Sequence, residues 1–371
     1  DLRMSRGLGD VYKRQLLCLL GLGLPILICE YAIGRGSNKS LGSAFKMLSP
    51  EGTRWHHFRW VAYAGNYLLM MFYTMVAGWM LNYFVYSLTG QLSGKNVEQI
   101  GGEFNNMLST PSVMIFWTLV VVVISILVCS LGLQKGVEKI SKVMMILLFA
   151  LMIIMAVNSL LLDGSSEGLK FYLVPDFSKM KEQGIGNVVF AAMSHAFFTL
   201  GLGIGSMEIF GSYLSRDCKL TGESINVVIL DTVVALTAGI IIIPACFAYG
   251  INPGAGPSLL FITLPNVFNQ MPGGVIWEVL FFIFMAFAAL STVIAVYENI
   301  IAMTMDLFNC SRKRASLVNL FVISVLCMPA VLGYNVLSGV QPLGAGTTIM
   351  DLEDFIVSYL SLIHISEPTR H

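Results

Sequence analysis

An all-α, polytopic membrane protein is the fold class this sequence predicts, and three observations predict it. Of its 371 residues, 56% are hydrophobic and only 12% charged, with a mean hydropathy of +0.76, whereas soluble domains carry about 25% charged residues. Apolar runs of about 20 residues, the length that crosses a bilayer, recur along the whole chain. The connections between them alternate between basic and nearly free of Lys and Arg. The 22 basic and 22 acidic residues cancel, which argues against a nucleic-acid partner. The seven cysteines are scattered, mostly inside apolar runs and with no CxxC pair. Small buried hydrophobes are therefore expected, not disulfides or metal ligands.

The runs lie near 16–34, 58–88, 112–132, 137–162, 187–214, 224–250, 275–307 and 314–334, with a ninth beginning near 350. Arg35, Lys39, Lys46, Arg54 and Arg59 follow the first run, and the next loop holds only Lys95, with Glu98 and Glu103. Lys135, Lys139 and Lys142 follow the third, and the long connection 163–186 is mixed. Arg216 and Lys219 come next, then an uncharged 250–274 stretch, then Arg312, Lys313 and Arg314. Positive-inside asymmetry puts the first, third, fifth and seventh loops in the cytoplasm. The first run then passes from outside to inside, as expected if an odd number of helices precedes it. Residues 250–274 are too rich in Pro and Gly to span and too apolar for a surface loop. They are expected to fold back into the protein as a lid or plug.

Both ends read as foreign. Residues 1–15, with Arg3, Arg6, Lys13 and Arg14, have the charge of a signal-peptide start, but no small-residue cleavage site follows. This stretch and SLIHISEPTRH at 361–371 resemble translated sequencing-adapter sequence. The expectation is a native transmembrane domain over 16–360, an internal fragment flanked by non-native residues.

The fifth run is the exception among the spans. Within Ser194–Tyr213, Gly201, Gly203 and Gly205 fall at every second position, and each costs a helix about 1 kcal/mol relative to alanine. Two readings stand: close helix packing through small residues, or a helix unwound at membrane depth around a binding site. Asp231 lies in the otherwise apolar 227–243 and Glu208 sits one turn past the glycines; intramembrane ionisable groups are costly and by default functional. Glu30 and Glu298 are nearer interfaces, where structural partners are expected. Ser291 and Thr292 are adjacent hydroxyls in mid-span, a type that commonly bonds back to its own helix. Hard cations take oxygen ligands, and Thr199, the loosened backbone after it, Asp231, Ser291 and Thr292 supply them. Phe72, Tyr73, Phe197 and Phe198 offer an apolar wall for an organic substrate. HExxH and Cys/His metal spacings are missing, and the glycines lack the preceding strand of a dinucleotide fingerprint. No enzyme is expected.

Taken in order, several segments resemble the neurotransmitter:sodium symporter family in its bacterial branch. They are Gly23-Leu-Pro-Ile-Leu-Ile-Cys-Glu-Tyr-Ala-Ile-Gly-Arg-Gly, Lys135-Gly-Val-Glu-Lys-Ile-Ser-Lys-Val-Met-Met, Ala196-Phe-Phe-Thr-Leu-Gly-Leu-Gly-Ile-Gly, Leu230-Asp-Thr, Gly256-Pro-Ser-Leu-Leu-Phe-Ile-Thr-Leu-Pro-Asn-Val-Phe and Phe287-Ala-Ala-Leu-Ser-Thr. The resemblance covers about 20–355. It implies a leucine-transporter-type inverted-repeat bundle, truncated to family helices two to nine and the start of ten. The leucine transporter, itself a member, is the type case of the broken-helix site.

The resemblance also implies roles. A first sodium site would use Thr199 and Asp231, a second the Ala288 carbonyl with the Ser291 and Thr292 hydroxyls. Leu69, Tyr73, Phe198, Thr199, Gly201, Ile204 and Val296 would line the substrate pocket, with the Tyr73 hydroxyl reaching a substrate carboxylate. Phe198 would be an outer lid, Asp354 half of an outer gate, and Tyr213 and Asp306 inner-gate positions. The Asp231 carboxylate would replace chloride, so chloride is not expected to be required. The implied function is sodium-coupled symport of a small hydrophobic amino acid by alternating access in the bacterial inner (cytoplasmic) membrane; oligomeric state is left open. Family helix one, with its share of both sodium sites, is absent, so the fragment itself is expected to be inactive. Glu208 stands where the family has an apolar residue, and His195 where the leucine transporter has a glutamine. A proton-coupled transporter using either, and a sensor or channel without coupled uptake, remain alternatives.

Overall fold

The computed structural model describes residues 15–132, 137–174, 185–251 and 257–360, with side chains of 185–191, 359 and 360 excepted. The expected flanks, apart from Gln15, lie outside these residues, as do the start of the Lys135 motif and parts of the 163–186 and 250–274 connections. The described elements are all helical. A π-helical turn at Leu19–Gly23 leads into α1 (Leu24–Ser37), which stops at Asn38 in the left-handed conformation, φ 51°. α2 (Leu41–Leu48) connects it to the long α3 (Phe58–Leu88). α4 (Val97–Ser109) opens on a reciprocal cap between Asn96 and Gln99, and α5 (Pro111–Ser130) starts on a proline that needs no backbone donor there. α6 (Lys139–Leu160), α7 (Ser165–Leu173), α8 (Ile185–Leu200) and α9 (Ser206–Tyr213) follow. α10 (Leu220–Ala248) keeps Pro244 inside it. α11 (Leu264–Gln270) precedes α12 (Gly274–Phe308), α13 (Arg312–Leu326), α14 (Met328–Leu332) and α15 (Ile349–Phe355).

Among the described residues, seven helical stretches are long and apolar enough to cross a membrane: Gln15–Ser37, Trp55–Leu88, Pro111–Ser130, Lys139–Leu160, Leu220–Ala248, Gly274–Phe308 and Arg312–Leu332. They match the apolar runs of the sequence except 187–214, which is divided into α8 and α9, and the ninth, beginning near 350, where α15 lies. Several of these helices are apolar on both faces. α6 buries Leu148, Met152 and Met155 yet exposes Val143, Ile146, Ile153 and Ile154. Such a helix belongs to a solvent of hydrocarbon, since in water the outer face would be polar.

The centre is the pair α3 and α12. At 35 residues α12 runs about 52 Å, well beyond the ~30 Å hydrocarbon layer. The two pack along buried Met70, Met75, Tyr83, Phe282 and Tyr297, and their hydroxyls pair at Thr74–Tyr297, 2.9 Å, and Tyr63–Thr304, 2.7 Å. The described part of 250–274 folds inward, as expected of a plug. Phe261, Leu264 and Val267 are at most 1% exposed, and the Phe261 ring lies 4.8 Å from Tyr83 and 5.1 Å from Phe104. Asn269 locks this segment to the preceding loop by donating to the Leu92 and Lys95 carbonyls at 2.8 and 3.1 Å.

Candidate functional site

The chain unwinds between α8 and α9, at residues 201–205. Gly201, Gly203 and Gly205 have φ of 61°, 86° and 77°, a conformation that costs other L-residues roughly 1–2 kcal/mol each. At Gly205 a Cβ would also come within 2.7 Å of Leu41 Cδ1. The amides of Gly201 and Leu202 close α8 onto the Phe198 and Phe197 carbonyls, both at 3.0 Å. The Gly203 amide donates to Glu30 Oε1 of α1 at 2.6 Å. The Ile204 carbonyl accepts from Asn66 of α3 at 2.7 Å and from Asn299 of α12 at 3.3 Å, and the two amides are joined at 3.0 Å. Side chains from three helices thus satisfy the opened backbone. Small-residue packing is present as well, at other glycines: a Cβ on Gly34 would collide with the Glu208 carbonyl, and one on Gly211 would meet Tyr31 Cα at 2.7 Å.

A cavity of about 450 Å³ opens beside the break. Its wall includes every residue expected in the substrate pocket, Leu69, Tyr73, Phe198, Thr199, Gly201, Ile204 and Val296, together with Asp231, Ser291 and Thr292. Ser206, Met207, Phe210 and Ala295 complete it. The oxygens gather in two groups. Thr199 and Asp231 meet across α8 and α10, and Asp231 Oδ2 is buried with no hydrogen-bond partner. On α12, Ser291 and Thr292 both donate to the Ala288 carbonyl, at 2.8 and 3.3 Å. Those hydroxyls bond back to their own helix, yet Ser291 and Thr292 both line the cavity, while Ala288, whose carbonyl they share, is not among its lining residues. The rest of the lining is aliphatic or aromatic, the composition of a site for a small organic molecule.

Of the four gate positions, Asp354, Asp306 and Tyr213 are tied to neighbours by hydrogen bonds. Phe198 is 39% exposed at the cavity. Asp354 accepts from Ser358 at 2.8 Å, and the Ser358 carbonyl accepts from Ser194 of α8 at 2.7 Å. Asp306 Oδ2 accepts from the Ser40 amide and hydroxyl at 2.9 and 2.7 Å, with Lys39 3.8 Å from its other oxygen. Tyr213 donates instead to Glu298 Oε1 at 3.1 Å, and Glu298 is held by Arg312 through two bonds of 2.7 Å. No hydrogen bond joins Tyr213 to Asp306 among the described residues. Glu30 and Glu298 have the structural partners expected of them. α8 buries Ala192, Ala196 and Leu200, and His195 lies on its exposed arc with Phe198 and Thr199. Sequence reasoning missed Asn66 and Asn299, both 0% exposed, although lone amides in long apolar runs are a signal that would have flagged them.

The sodium:neurotransmitter symporter family model matches residues 106–366, and the sodium-dependent transporter YhdH of Bacillus subtilis (strain 168) is 35% identical over 95% of this chain and 77% of its own length. The chain belongs to the sodium:neurotransmitter symporter family. A sodium-dependent transporter of Haemophilus influenzae (strain ATCC 51907 / DSM 11121 / KW20 / Rd) is 31% identical over 91% of the chain and 75% of its own length. The crystal structure of MhsT in complex with L-phenylalanine superposes with a TM-score of 0.84 at 36% identity, covering 97% of this chain and 85% of that one. This member of the family is therefore an integral, multi-pass transporter with the leucine-transporter fold, and its relatives are transporters, not enzymes.

Proposed function

We propose that this protein couples the inward movement of sodium to that of a small hydrophobic amino acid by alternating access, in a bacterial cytoplasmic membrane. The observation that carries this reading is the cavity of about 450 Å³ at the broken helix, where two groups of oxygens face an apolar chamber. One sodium ion would sit at Thr199 and Asp231, the other at the Ala288 carbonyl with Ser291 and Thr292, a ligand chemistry suited to a hard monovalent cation. The substrate would lie among Leu69, Tyr73, Phe198, Gly201, Ile204 and Val296, its carboxylate at the Tyr73 hydroxyl and the unwound backbone. Phe198 and Asp354 would close the outer side, Tyr213 and Asp306 the inner. The Asp231 charge offsets the bound cation, so chloride is not needed. That MhsT was crystallised with L-phenylalanine supports a hydrophobic amino acid here too. Because ion and substrate occupy one cavity and hold the same closed arrangement, each raises the affinity of the other.

Equilibrium binding of labelled leucine, phenylalanine and alanine to the purified full-length protein tests this reading. Binding that appears with sodium and vanishes in potassium supports it. Binding indifferent to sodium but governed by pH would transfer the coupling to protons.

A further inference from the structure

Beside the unwound segment lie buried oxygens that the transport reading does not use. Glu208 on α9 is 1% exposed and its Oε1 has no partner. The Ser206 hydroxyl, 4% exposed, is likewise unpartnered, and so is Glu30 Oε2. Glu30 and Glu208 are held together by the tight packing of α1 on α9 at Gly34, close enough for the charge of one to act on the other. Among the described residues no Lys, Arg or His is hydrogen-bonded or ion-paired to either carboxylate. Arg35, on the same helix as Glu30, donates to the Cys218 carbonyl at 2.7 Å. Lys46 of α2 is exposed, and Arg312 is bound to Glu298. The remaining neighbours with titratable groups make the region more negative or leave it neutral: Tyr31 donates to Met207 Sδ, and Glu223 of α10 acts on Tyr31 together with Glu30.

Two carboxylates that share a buried site without a cation cannot both stay ionised. Glu30 is the one suited to carry the charge, since it accepts the Gly203 amide and sits at the amino end of α9. We propose that Glu30 and Glu208 together bind one proton, carried by Glu208 and stabilised beside the Glu30 carboxylate, as a proton site fixed to the unwound segment. The titration belongs to the pair, not to either residue alone. This site is independent of whether the cavity takes an amino acid.

Infrared spectroscopy of the full-length protein in nanodiscs reads the proton directly, as the C=O stretch of a protonated carboxylic acid. At neutral pH the wild type should show this band in potassium and in sodium alike. Glu208→Gln should lose it, and Glu208→Met serves if that variant does not fold. Glu30→Gln keeps Glu208 but removes the neighbouring charge, so the band should titrate away at lower pH than in the wild type. Because Asp231, Glu278 and Glu353 also hold buried, unpartnered oxygens, the assignment rests on the loss in the Glu208 variants. A band unchanged by the Glu208 variants would overturn the proposal, as would a titration unmoved by Glu30→Gln. A wild-type band that disappears on adding sodium at constant pH would also overturn it, by making the pair a cation site.

Discussion

Asn66 donates to the Ile204 carbonyl at 2.7 Å, a bond between residues 138 positions apart that fixes the broken helix to α3. The same Asn66 accepts from Asn299, so one amide pair joins both scaffold helices to the backbone that borders the cavity. The unwound segment is thus held in a defined shape by buried side chains.

Asn66→Ala should therefore destabilise the protein by about 2–3 kcal/mol, because it leaves a buried carbonyl with only its longer bond and takes from the Asn299 amide its nearer acceptor. Thermal unfolding of the detergent-solubilised protein checks this. A melting temperature equal to wild type would mean that the break is not anchored there.

At Gly203 and Gly205 the expected effect comes from backbone geometry. Gly205→Ala should cost about 1–2 kcal/mol for its left-handed φ, plus the displacement of Leu41. Gly102→Ala, on α4 with open space around its Cβ position, should be neutral or slightly stabilising. Comparing the two unfolding temperatures separates loss of the turn from a general intolerance of alanine.

Thr199→Ala and Asp231→Asn each remove oxygen chemistry from the first proposed ion position while leaving the packed scaffold alone. Sodium affinity should fall about tenfold or more, roughly 1.4 kcal/mol per decade, with little change in stability. The midpoint of sodium-dependent substrate binding measures it. Unchanged midpoints in both variants would remove that ion position. Replacing chloride with gluconate should leave the wild-type midpoint where it is.

Outside the membrane, Lys95 and Glu103 form an ion pair that holds the Glu103 carboxyl below the usual carboxylate range, chiefly through the Lys95 hydrogen bond. A depressed carboxylate contributes stability above its unfolded pKa and loses it as pH falls through the folded one. The pair should thus be at full strength at neutral pH and weaken in acid. Being partly exposed, it is worth under about 1 kcal/mol. Glu103→Gln should lower the melting temperature slightly at neutral pH and converge with wild type in acid; equal offsets at both pH values would contradict the pairing.

What was legible in the sequence follows from what lipid forbids. A bilayer tolerates neither polar loops nor broken helices, so the spans stood out by length, and three glycines in five residues stood out as a break. Asp231, Ser291 and Thr292 were conspicuous for the same reason, and the uncharged Pro/Gly-rich stretch could only go inward. The missing parts are long-range pairings. Nothing in the run around Asn66 announces Ile204, and Glu30 gives no hint that its partner is a backbone amide 173 positions away. Tyr213 went to Glu298 because the bidentate Glu298–Arg312 pair presents a carboxylate to it.

Uptake of labelled hydrophobic amino acid into proteoliposomes holding the full-length protein tests sodium coupling itself. An inward sodium gradient should drive accumulation above the external concentration, collapse of that gradient by a sodium ionophore should release it, and Asp231→Asn should accumulate far less at the same gradient. Accumulation that persists with sodium equal on both sides and follows an imposed proton gradient instead would contradict sodium coupling.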